Sequence, residues 1–318
     1  MRGRGGYIGF NRVPEASAPN SAASGIWTLR EAEALKRAGT WPTALGVNPV
    51  PDIAGLQLWL DASDAQTLFD ATTGGSLVAA DGGVARWEDK SGNARHATQG
   101  TAGSRPARKT AVQNGLGVVR FDGSNDSMAV ARSTALFNFL HDGDATVFAV
   151  YKWTAPGGSP NRRFLFSNHI NDESVAGTTG SAIWMRNDFG DALPYSKLQF
   201  LTTNNNATRT NSYTGDNSYA VDTFHCLSIV ADNANATNAN RAVFRKNGTV
   251  QADTAGGDNA ALPTANATYD LHICTQAGPT NRYFAQCDLC EIIMYDSALS
   301  DTNRAAVEGY LLAKWSIT

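Results

Sequence analysis

Short runs of apolar residues, or of apolar residues alternating with polar ones, recur through residues 56–295 and are separated by Gly, Asn, Asp, Ser and Pro. Because strand side chains alternate between two faces, this period of two predicts β-strands. Asn247-Gly248 lies between two such runs, and this dipeptide favours the type I′ turn that joins antiparallel strands. The predicted strands are 56–60, 118–122, 146–153, 163–167, 182–186, 197–202, 224–232, 242–246, 269–275 and 287–295.

Two segments lack this alternation. Residues 202–217 and 232–240 are polar and rich in Asn, and they hold too little apolar surface to pack by themselves. We predict that both are exposed loops.

The end of the chain has helical spacing. Ser300 is a suitable N-cap, and Asp301 places a negative charge at the positive end of the helix dipole. Apolar side chains then recur at positions 307, 310, 311 and 315, which share one side of a helix. We predict a helix over residues 301–315 that closes the β core from outside.

The first fifty residues contain few strand-like runs. A capping box from Thr28 to Glu31 predicts a short helix over residues 28–38. Its apolar stripe is too thin for the helix to be stable alone. We therefore predict that residues 1–50 are an extended docking arm and that residues 51–318 form the sandwich. The side chains expected to be buried on docking are Tyr7, Phe10, Trp27, Leu35 and Trp41.

Composition excludes several classes of protein. The chain has 318 residues, of which 42% are hydrophobic and 17% charged, so it is not disordered throughout. Its net charge is −3 and Lys and Arg are scattered among Asp and Glu, so nucleic acid is not an expected partner. No run is long and apolar enough for a signal peptide or a membrane span. We expect synthesis in a cytoplasm without membrane insertion.

The four cysteines lie toward the carboxyl end of the chain. Cys226, Cys274, Cys287 and Cys290 are too few to be the disulfide scaffold of a domain this size, so we expect buried free thiols. The Cys-x-x-Cys spacing at 287–290 also occurs in zinc and redox sites. That segment is predicted to be a strand, however, in which residues three apart face opposite sides, and this argues against a shared metal.

Six stretches resemble laminin-G-like domains of the concanavalin A-like lectin and glucanase superfamily. They are LWLDASD (58–64), WEDKSGNARHATQ (87–99), VRFDG (119–123), EIIMY (291–295), ALS (298–300) and VEGYLLAKW (307–315). They run in family order through most of the chain. The resemblance implies two antiparallel sheets in a jelly-roll sandwich.

Two stretches of the arm resemble amino-terminal segments of structural proteins of tailed bacteriophages. They are GYIGFNR (6–12) and ASGIWTLREAE (23–33). The resemblance implies a virion component in which the arm docks onto other virion proteins and the sandwich projects outward, in several copies or as a homo-oligomer.

The superfamily includes glycoside hydrolases, so catalysis has to be considered. Glycoside hydrolysis needs two carboxyl groups about 5–10 Å apart on one face. No Glu-x-Asp-x-Glu run occurs, and Glu291 is followed on its strand by Ile293 and Tyr295 on the same face. No Gly-x-Ser-x-Gly elbow occurs either. We expect no catalytic residues, and an assembly of acids from distant strands is the alternative.

Residues 122–126, Asp-Gly-Ser-Asn-Asp, are rich in side-chain oxygen atoms and resemble a calcium-binding loop in composition. They lack the twelve-residue spacing and the bidentate acid of such a loop. The same residue types make a tight turn at a strand end. We favour the turn and expect no cofactor, with calcium as the alternative.

The candidate for glycan contact is the predicted strand around Trp184. Alternation places Trp184 and Arg186 on one face, and Asn187 and Asp188 follow. An aromatic ring beside a guanidinium suits a sugar ring. The competing interpretation, sheet packing or a subunit contact, is the one that the residue types favour.

Together these signals predict an all-β, antiparallel jelly-roll sandwich with a C-terminal helix and an N-terminal arm. The function expected is that of a non-enzymatic bacteriophage virion protein, a decoration, head-fibre or tail-associated component that carries the sandwich for surface decoration or host adhesion. The alternative is a carbohydrate-binding module that recognises host surface glycan, and a glycoside hydrolase is third.

Overall fold

The computed structural model describes residues 50–154, 162–169, 178–186, 197–204, 208–215, 219–237, 240–257, 263–278 and 283–318. Residues 1–49 of the predicted docking arm, including its helix over 28–38 and its five docking side chains, lie outside these ranges. In the described part of the chain, no helix is long and apolar enough to cross a membrane.

Strands dominate the described residues. The strands are β1 (Leu56–Asp61), β2 (Leu68–Phe69), β3 (Arg86–Trp87), β4 (Ala97–Thr98), β5 (Ala107–Gln113), β6 (Leu116–Asp122), β7 (Met128–Val130), β8 (Asp144–Trp153), β9 (Arg162–Ser167), β10 (Gly180–Arg186), β11 (Lys197–Asn204), β12 (Thr208–Thr214), β13 (Phe224–Asp232), β14 (Ala242–Lys246), β15 (Thr249–Val250), β16 (Asp253–Gly257), β17 (Leu271–Ile273) and β18 (Gln286–Tyr295). The α-helices are α1 (Phe139–Asp142) and α2 (Asp301–Trp315). Each of the ten predicted strands is present.

The strands form two antiparallel sheets. The eight-stranded sheet has the order β15-β14-β13-β8-β18-β6-β5, and β1 pairs with β18 beside that path. The ten-stranded sheet has the order β16-β12-β11-β10-β9-β17-β7-β4-β3-β2. The predicted all-β antiparallel sandwich of jelly-roll type is confirmed.

The main core lies between the two sheets. Phe121, Val147 and Leu227 enter it from the eight-stranded sheet, and Ile183 and Phe200 enter it from the ten-stranded sheet. Period-two alternation delivers one apolar row from each strand to this layer. Burial of these apolar rows is the main favourable contribution to the stability of the sandwich.

A second apolar layer lies between the eight-stranded sheet and α2. Val307, Leu311 and Trp315 of the helix pack there with Trp59 and Ile293 of the sheet. The Ser300 side chain accepts a hydrogen bond from the Asn303 backbone N–H at 3.3 Å, which is the predicted N-cap. The closing helix over 301–315 is confirmed with the predicted limits.

A β-bulge in β18 aims neighbouring residues at different layers. Cys287 and Leu289 belong to the inter-sheet core, whereas Cys290 packs in the layer under α2. The pairing of β18 with β8 shifts register between Leu289 and Glu291. The prediction that Cys287 and Cys290 face opposite sides is confirmed, and the bulge turns Glu291 toward the helix.

The predicted loop over 202–217 is wrong. Thr208–Thr214 forms β12, which pairs with β11 on one side and with β16 on the other. Polarity misled the prediction here, because the two neighbouring strands satisfy the backbone hydrogen bonds. The β-branched Thr side chains of this segment also suit a pleated sheet. Polar sequence therefore does not exclude a strand inside a wide sheet.

The Asn247-Gly248 turn has the predicted geometry. Both residues have positive φ, 51° at Asn247 and 77° at Gly248, and they join β14 to β15. The Asn247 side chain makes two further hydrogen bonds. It accepts from the Cys226 backbone N–H at 3.0 Å and donates to the Thr318 carbonyl at 2.8 Å. This turn therefore also anchors the chain that follows α2.

Candidate functional site: the outer face of the ten-stranded sheet

Residues of β10 alternate between two layers, as the sequence predicts. Ile183 and Met185 belong to the inter-sheet core. Trp184 lies on the other face, in a separate apolar cluster with Phe164 and Leu201. The ten-stranded sheet thus has an outer face with its own aromatic side chains.

Four of these outer positions form one row across β9, β10, β11 and β12. Phe164 is the register partner of Trp184, Trp184 is the partner of Gln199, and Gln199 is the partner of Tyr213. Directly paired residues of antiparallel strands point to the same face. We call Phe164, Trp184, Gln199 and Tyr213 the aromatic row.

Burial differs along the aromatic row. Trp184 is 1% exposed and Gln199 is 4% exposed, whereas Tyr213 is half-buried. The Trp184 ring lies 5.3 Å from the Phe164 ring, measured between centroids. Trp184 is therefore packed in the sheet, which favours the sheet-packing interpretation of this residue over direct stacking on a sugar. The half-buried Tyr213 was missed by sequence reasoning, because its strand was predicted to be a loop.

Positive charge lies beside the row. The Lys197 ammonium lies 5.3 Å from the centre of the Tyr213 ring. Arg186 is the register partner of both Lys197 and Arg162, so three basic residues occupy adjacent strands at one level. That level is two residues along β10 from Trp184. Asn187 and Asp188, the other predicted contacts, lie outside the described residues.

The aromatic row has an unused donor. Within the described part of the chain, the buried Trp184 indole Nε1 has no hydrogen-bond partner. A buried donor without an acceptor carries a cost of about 1–3 kcal/mol.

The described carboxylates with the lowest exposure are committed to structural contacts. Glu291 is fully buried and accepts hydrogen bonds from the indoles of Trp59 and Trp315, each at 2.8 Å. It also accepts from Lys314 Nζ at 2.7 Å, and Lys314 donates to Asp61 at 2.8 Å. The two acids thus share one lysine beneath α2.

Shared charge moves the two pKa values in opposite directions. Burial, reinforced by the neighbouring Asp61, raises the pKa of Glu291 above its ordinary value. Burial acts in the same sense on Asp61, but Lys314, Ser63 and Lys90 together hold the pKa of Asp61 below its ordinary value. The site is therefore an ion network that fixes a helix, with both acids turned away from solvent.

Two further buried acids are paired in the same way. Asp288 binds Arg120, with Oδ2 accepting from Nη2 at 2.9 Å, and also contacts Lys152 at 3.1 Å. Glu308 binds Arg304 and Ser228. A hydrolytic pair needs carboxyl groups that face an open cleft. These four acids, at 4% exposure or less, do not.

The Asp122–Asp126 segment has the geometry of a turn. Asp122 Oδ1 accepts backbone N–H groups of Ser124, Asn125 and Asp126 at 2.8–3.2 Å. Asp126 Oδ2 accepts the Asp122 N–H at 3.0 Å. These contacts are those of an Asx turn. In the described residues, no group of three or more His, Cys, Asp or Glu side chains is arranged to hold a metal ion.

The chain is similar to solved structures of sialidases and of a sialidase-associated binding domain. One is the CBM40 domain of Ruminococcus gnavus IT-sialidase bound to α2,3-sialyllactose, 13% identical over 63% of this chain and 99% of that one, with a TM-score of 0.44. Another is a mutant of Trypanosoma rangeli sialidase with trans-sialidase activity, 12% identical over 90% of this chain and 36% of that one, with a TM-score of 0.46. A third is the NanB sialidase of Streptococcus pneumoniae, 18% identical over 62% of this chain and 28% of that one, with a TM-score of 0.41.

The matched part of this chain spans well under two thirds of either sialidase. No protein-family model matches the sequence, and no curated protein matches it significantly. The antiparallel β-sandwich is established by the strand pairing described above.

Proposed function

We propose that this chain is a non-catalytic, lectin-like module that binds glycan on the outer face of its ten-stranded sheet. The observation that carries the proposal is the aromatic row, which ends in the half-buried Tyr213 with Lys197 over its ring. An aromatic ring next to fixed polar groups is the usual composition of a small-ligand site.

The parts of the row have different roles in this proposal. Tyr213 offers a ring face and a hydroxyl at the accessible end, which suits a pyranose with one apolar and one polar side. Gln199 lies between Tyr213 and Trp184 and has both a donor and an acceptor. The packed Trp184 and Phe164 keep this end of the sheet rigid. Rigid support limits the entropy lost on binding.

The basic residues beside the aromatic row give the site a preference for acidic ligands. Lys197 lies over the Tyr213 ring, and the strand register brings the basic residues Arg186 and Arg162 to the same level, which favours a ligand that carries negative charge. A sugar with a carboxylate or sulfate group fits this chemistry better than a neutral sugar. We therefore expect acidic glycans to bind more tightly than their neutral counterparts, and we expect this preference to weaken as salt is added.

The absence of catalysis is part of the same proposal. The buried acids Asp61, Asp288, Glu291 and Glu308 all pair with Lys or Arg, which supports a structural role for each of them. Purified protein is expected to release no reducing sugar from the glycans that it binds. Measurable release of reducing sugar would show that the protein is a hydrolase and would refute the proposed non-catalytic function.

The test is a glycan array with the full chain, followed by calorimetric titration of each glycan found. Tyr213→Ala is expected to weaken binding at least tenfold. Phe224→Ala is the matched control, because Phe224 is also half-buried and also has a lysine over its ring, Lys152 at 4.9 Å, but lies on the eight-stranded sheet. Equal affinity for wild type and Tyr213→Ala would refute the proposed site.

Attachment to a virus particle remains a prediction from the sequence, because residues 1–49 lie outside the described ranges. In that proposal the arm docks onto other virion proteins and the sandwich meets host glycan. Deletion of residues 1–49 should abolish incorporation into particles while glycan binding by the sandwich persists. Undiminished incorporation would remove the docking role and leave the binding proposal intact.

A further inference from the structure

Two of the four cysteines lie in contact inside the main core. The Sγ atoms of Cys274 and Cys287 are 3.2 Å apart, and both side chains are at most 1% exposed. Cys274 follows β17 of the ten-stranded sheet, and Cys287 is near the start of β18 in the eight-stranded sheet. The pair therefore bridges the two sheets of the sandwich.

Backbone hydrogen bonds through both its N–H and its carbonyl fix the position of Cys274. The Cys274 N–H donates to the Leu165 carbonyl at 3.0 Å, and the Cys274 carbonyl accepts from the Ala285 N–H at 2.8 Å. Cys274 also has a φ of 58°, a left-handed conformation that a residue with a Cβ adopts at some cost. Such local strain persists only where the surroundings enforce it, and it is often found at functional positions.

We propose that Cys274 and Cys287 form a disulfide that joins the two sheets when the protein folds in an oxidising environment. The bonded sulfur distance is about 2.05 Å, so closure needs a movement of about 1 Å. With glutathione disulfide as oxidant, the two thiols lose two protons and two electrons, one S–S bond forms, and the oxidant becomes two molecules of glutathione.

The surroundings make the bond slow to form and slow to break in the folded chain. Burial raises the pKa of Cys274 well above its ordinary value, and Cys287 and Asp126 act in the same direction. The attacking species in thiol exchange is the thiolate, so the folded, reduced pair reacts slowly. Oxidation is therefore expected mainly during folding or transient opening, after which the core shields the bond from reductants.

The positions of the Asp residues allow the disulfide to be assigned directly by digestion. Cleavage before Asp residues places Cys274 and Cys287 together in the fragment 270–287, with Cys226 in 222–231 and Cys290 in 288–295. The full chain is refolded in a glutathione redox buffer, alkylated under denaturing conditions and digested. The expected result is a fragment 270–287 that is unalkylated and two hydrogens lighter, while the Cys226 and Cys290 fragments carry one alkyl group each.

Stability gives a second readout. The bond closes a short loop, for which the midpoint of thermal unfolding is expected to rise by about 5 °C in the oxidised protein. Cys274→Ser should abolish the rise and Cys290→Ser should retain it. If Cys274→Ser fails to fold, the reduced and oxidised wild type still supply the comparison. Alkylation of both Cys274 and Cys287 after oxidative refolding, or a bond to either other cysteine, would overturn the proposal.

Discussion

The Lys314 ammonium lies 2.7 Å from the Glu291 carboxylate, across the boundary between α2 and β18. Both partners are shielded, with the Glu291 side chain fully buried and that of Lys314 15% exposed. This ion pair, with the indoles of Trp59 and Trp315 as further donors, fastens the closing helix to the sandwich.

Lys314→Met should destabilise the fold strongly. It leaves Glu291 buried without its cation, and such a loss costs about 3–5 kcal/mol. Lys109→Met is the control, because its partner Asp81 is 74% exposed and such surface pairs contribute about 0–1 kcal/mol. The free energy of unfolding in urea is the measurement. Equal losses in the two variants would contradict the proposed role of Glu291.

Asp126 should make stability depend on pH. Burial raises the pKa of Asp126 to about 6 from an ordinary 3.8, although the hydrogen bond from the Asp122 backbone N–H acts in the opposite direction. Because the native state holds this proton more tightly than the unfolded state, the contribution of Asp126 to stability falls as pH rises through this interval. Asp126→Asn should therefore raise the unfolding midpoint at pH 7.5, by about 2–4 °C.

The same Asp126→Asn variant at pH 3.5 is its own control, because Asp126 is then protonated in the native state and mostly protonated in the unfolded state. Little difference from wild type is expected there. The Asn side chain retains an oxygen that can accept the Asp122 N–H, so the turn is preserved. A gain of the same size at both pH values would show that the effect is not one of charge.

Gly123 should be sensitive to a single added methyl group. It has a φ of +76°, and a Cβ there would lie 2.7 Å from Gln286 Cβ and 3.1 Å from its Cα. Gly115 has a similar φ of +72° but no atom within 4 Å of such a Cβ. Backbone strain alone costs about 1–2 kcal/mol.

We expect Gly115→Ala to lose about that amount and Gly123→Ala to lose more, because the Gln286 backbone would also have to move. Thermal unfolding of both variants beside wild type is the measurement. If Gly115→Ala were the more damaging change, the close approach of β6 and β18 at Gly123 would not control stability.

A chain that starts at Val50 should fold by itself. Residues Val50–Thr318 form a compact unit, in which Val50 is fully buried and its carbonyl accepts from the Tyr295 hydroxyl at 2.9 Å. A chain that starts at Leu56 loses Val50 and Ile53 from the layer under α2, which should cost about 3 kcal/mol. Cooperative urea unfolding of both chains tests this, and equal midpoints would contradict it.

Local signals in the sequence predicted much of the fold. Ser300 identified the start of α2, and Asn247-Gly248 identified a tight turn, because in both places a few adjacent residues determine the geometry. The alternation around Trp184 gave the correct face. Each of these predictions depends on neighbours within a few positions along the chain.

Features that depend on distant partners could not be predicted. Whether Trp184 is open or packed depends on Phe164 of the adjacent strand, and the place of Tyr213 depends on pairing between β11 and β12. The contact between Cys274 and Cys287 arises only when two sheets are stacked. Such relationships are set by tertiary packing, about which a single sequence carries little information.

The β-bulge between Leu289 and Glu291 determines which side chains in the second half of β18 face α2 and which face the core between the sheets. If β18 paired in one regular register without this extra residue being accommodated, the two faces beyond it would be exchanged, so that Ile292 and Met294 would turn toward the helix while the Glu291 carboxylate would enter the apolar space between the sheets. Related chains that keep the bulge should therefore keep the number of residues between Cys287 and Tyr295, and chains that lack it should be one residue shorter there, whereas insertions and deletions in the surface connections should be tolerated in both.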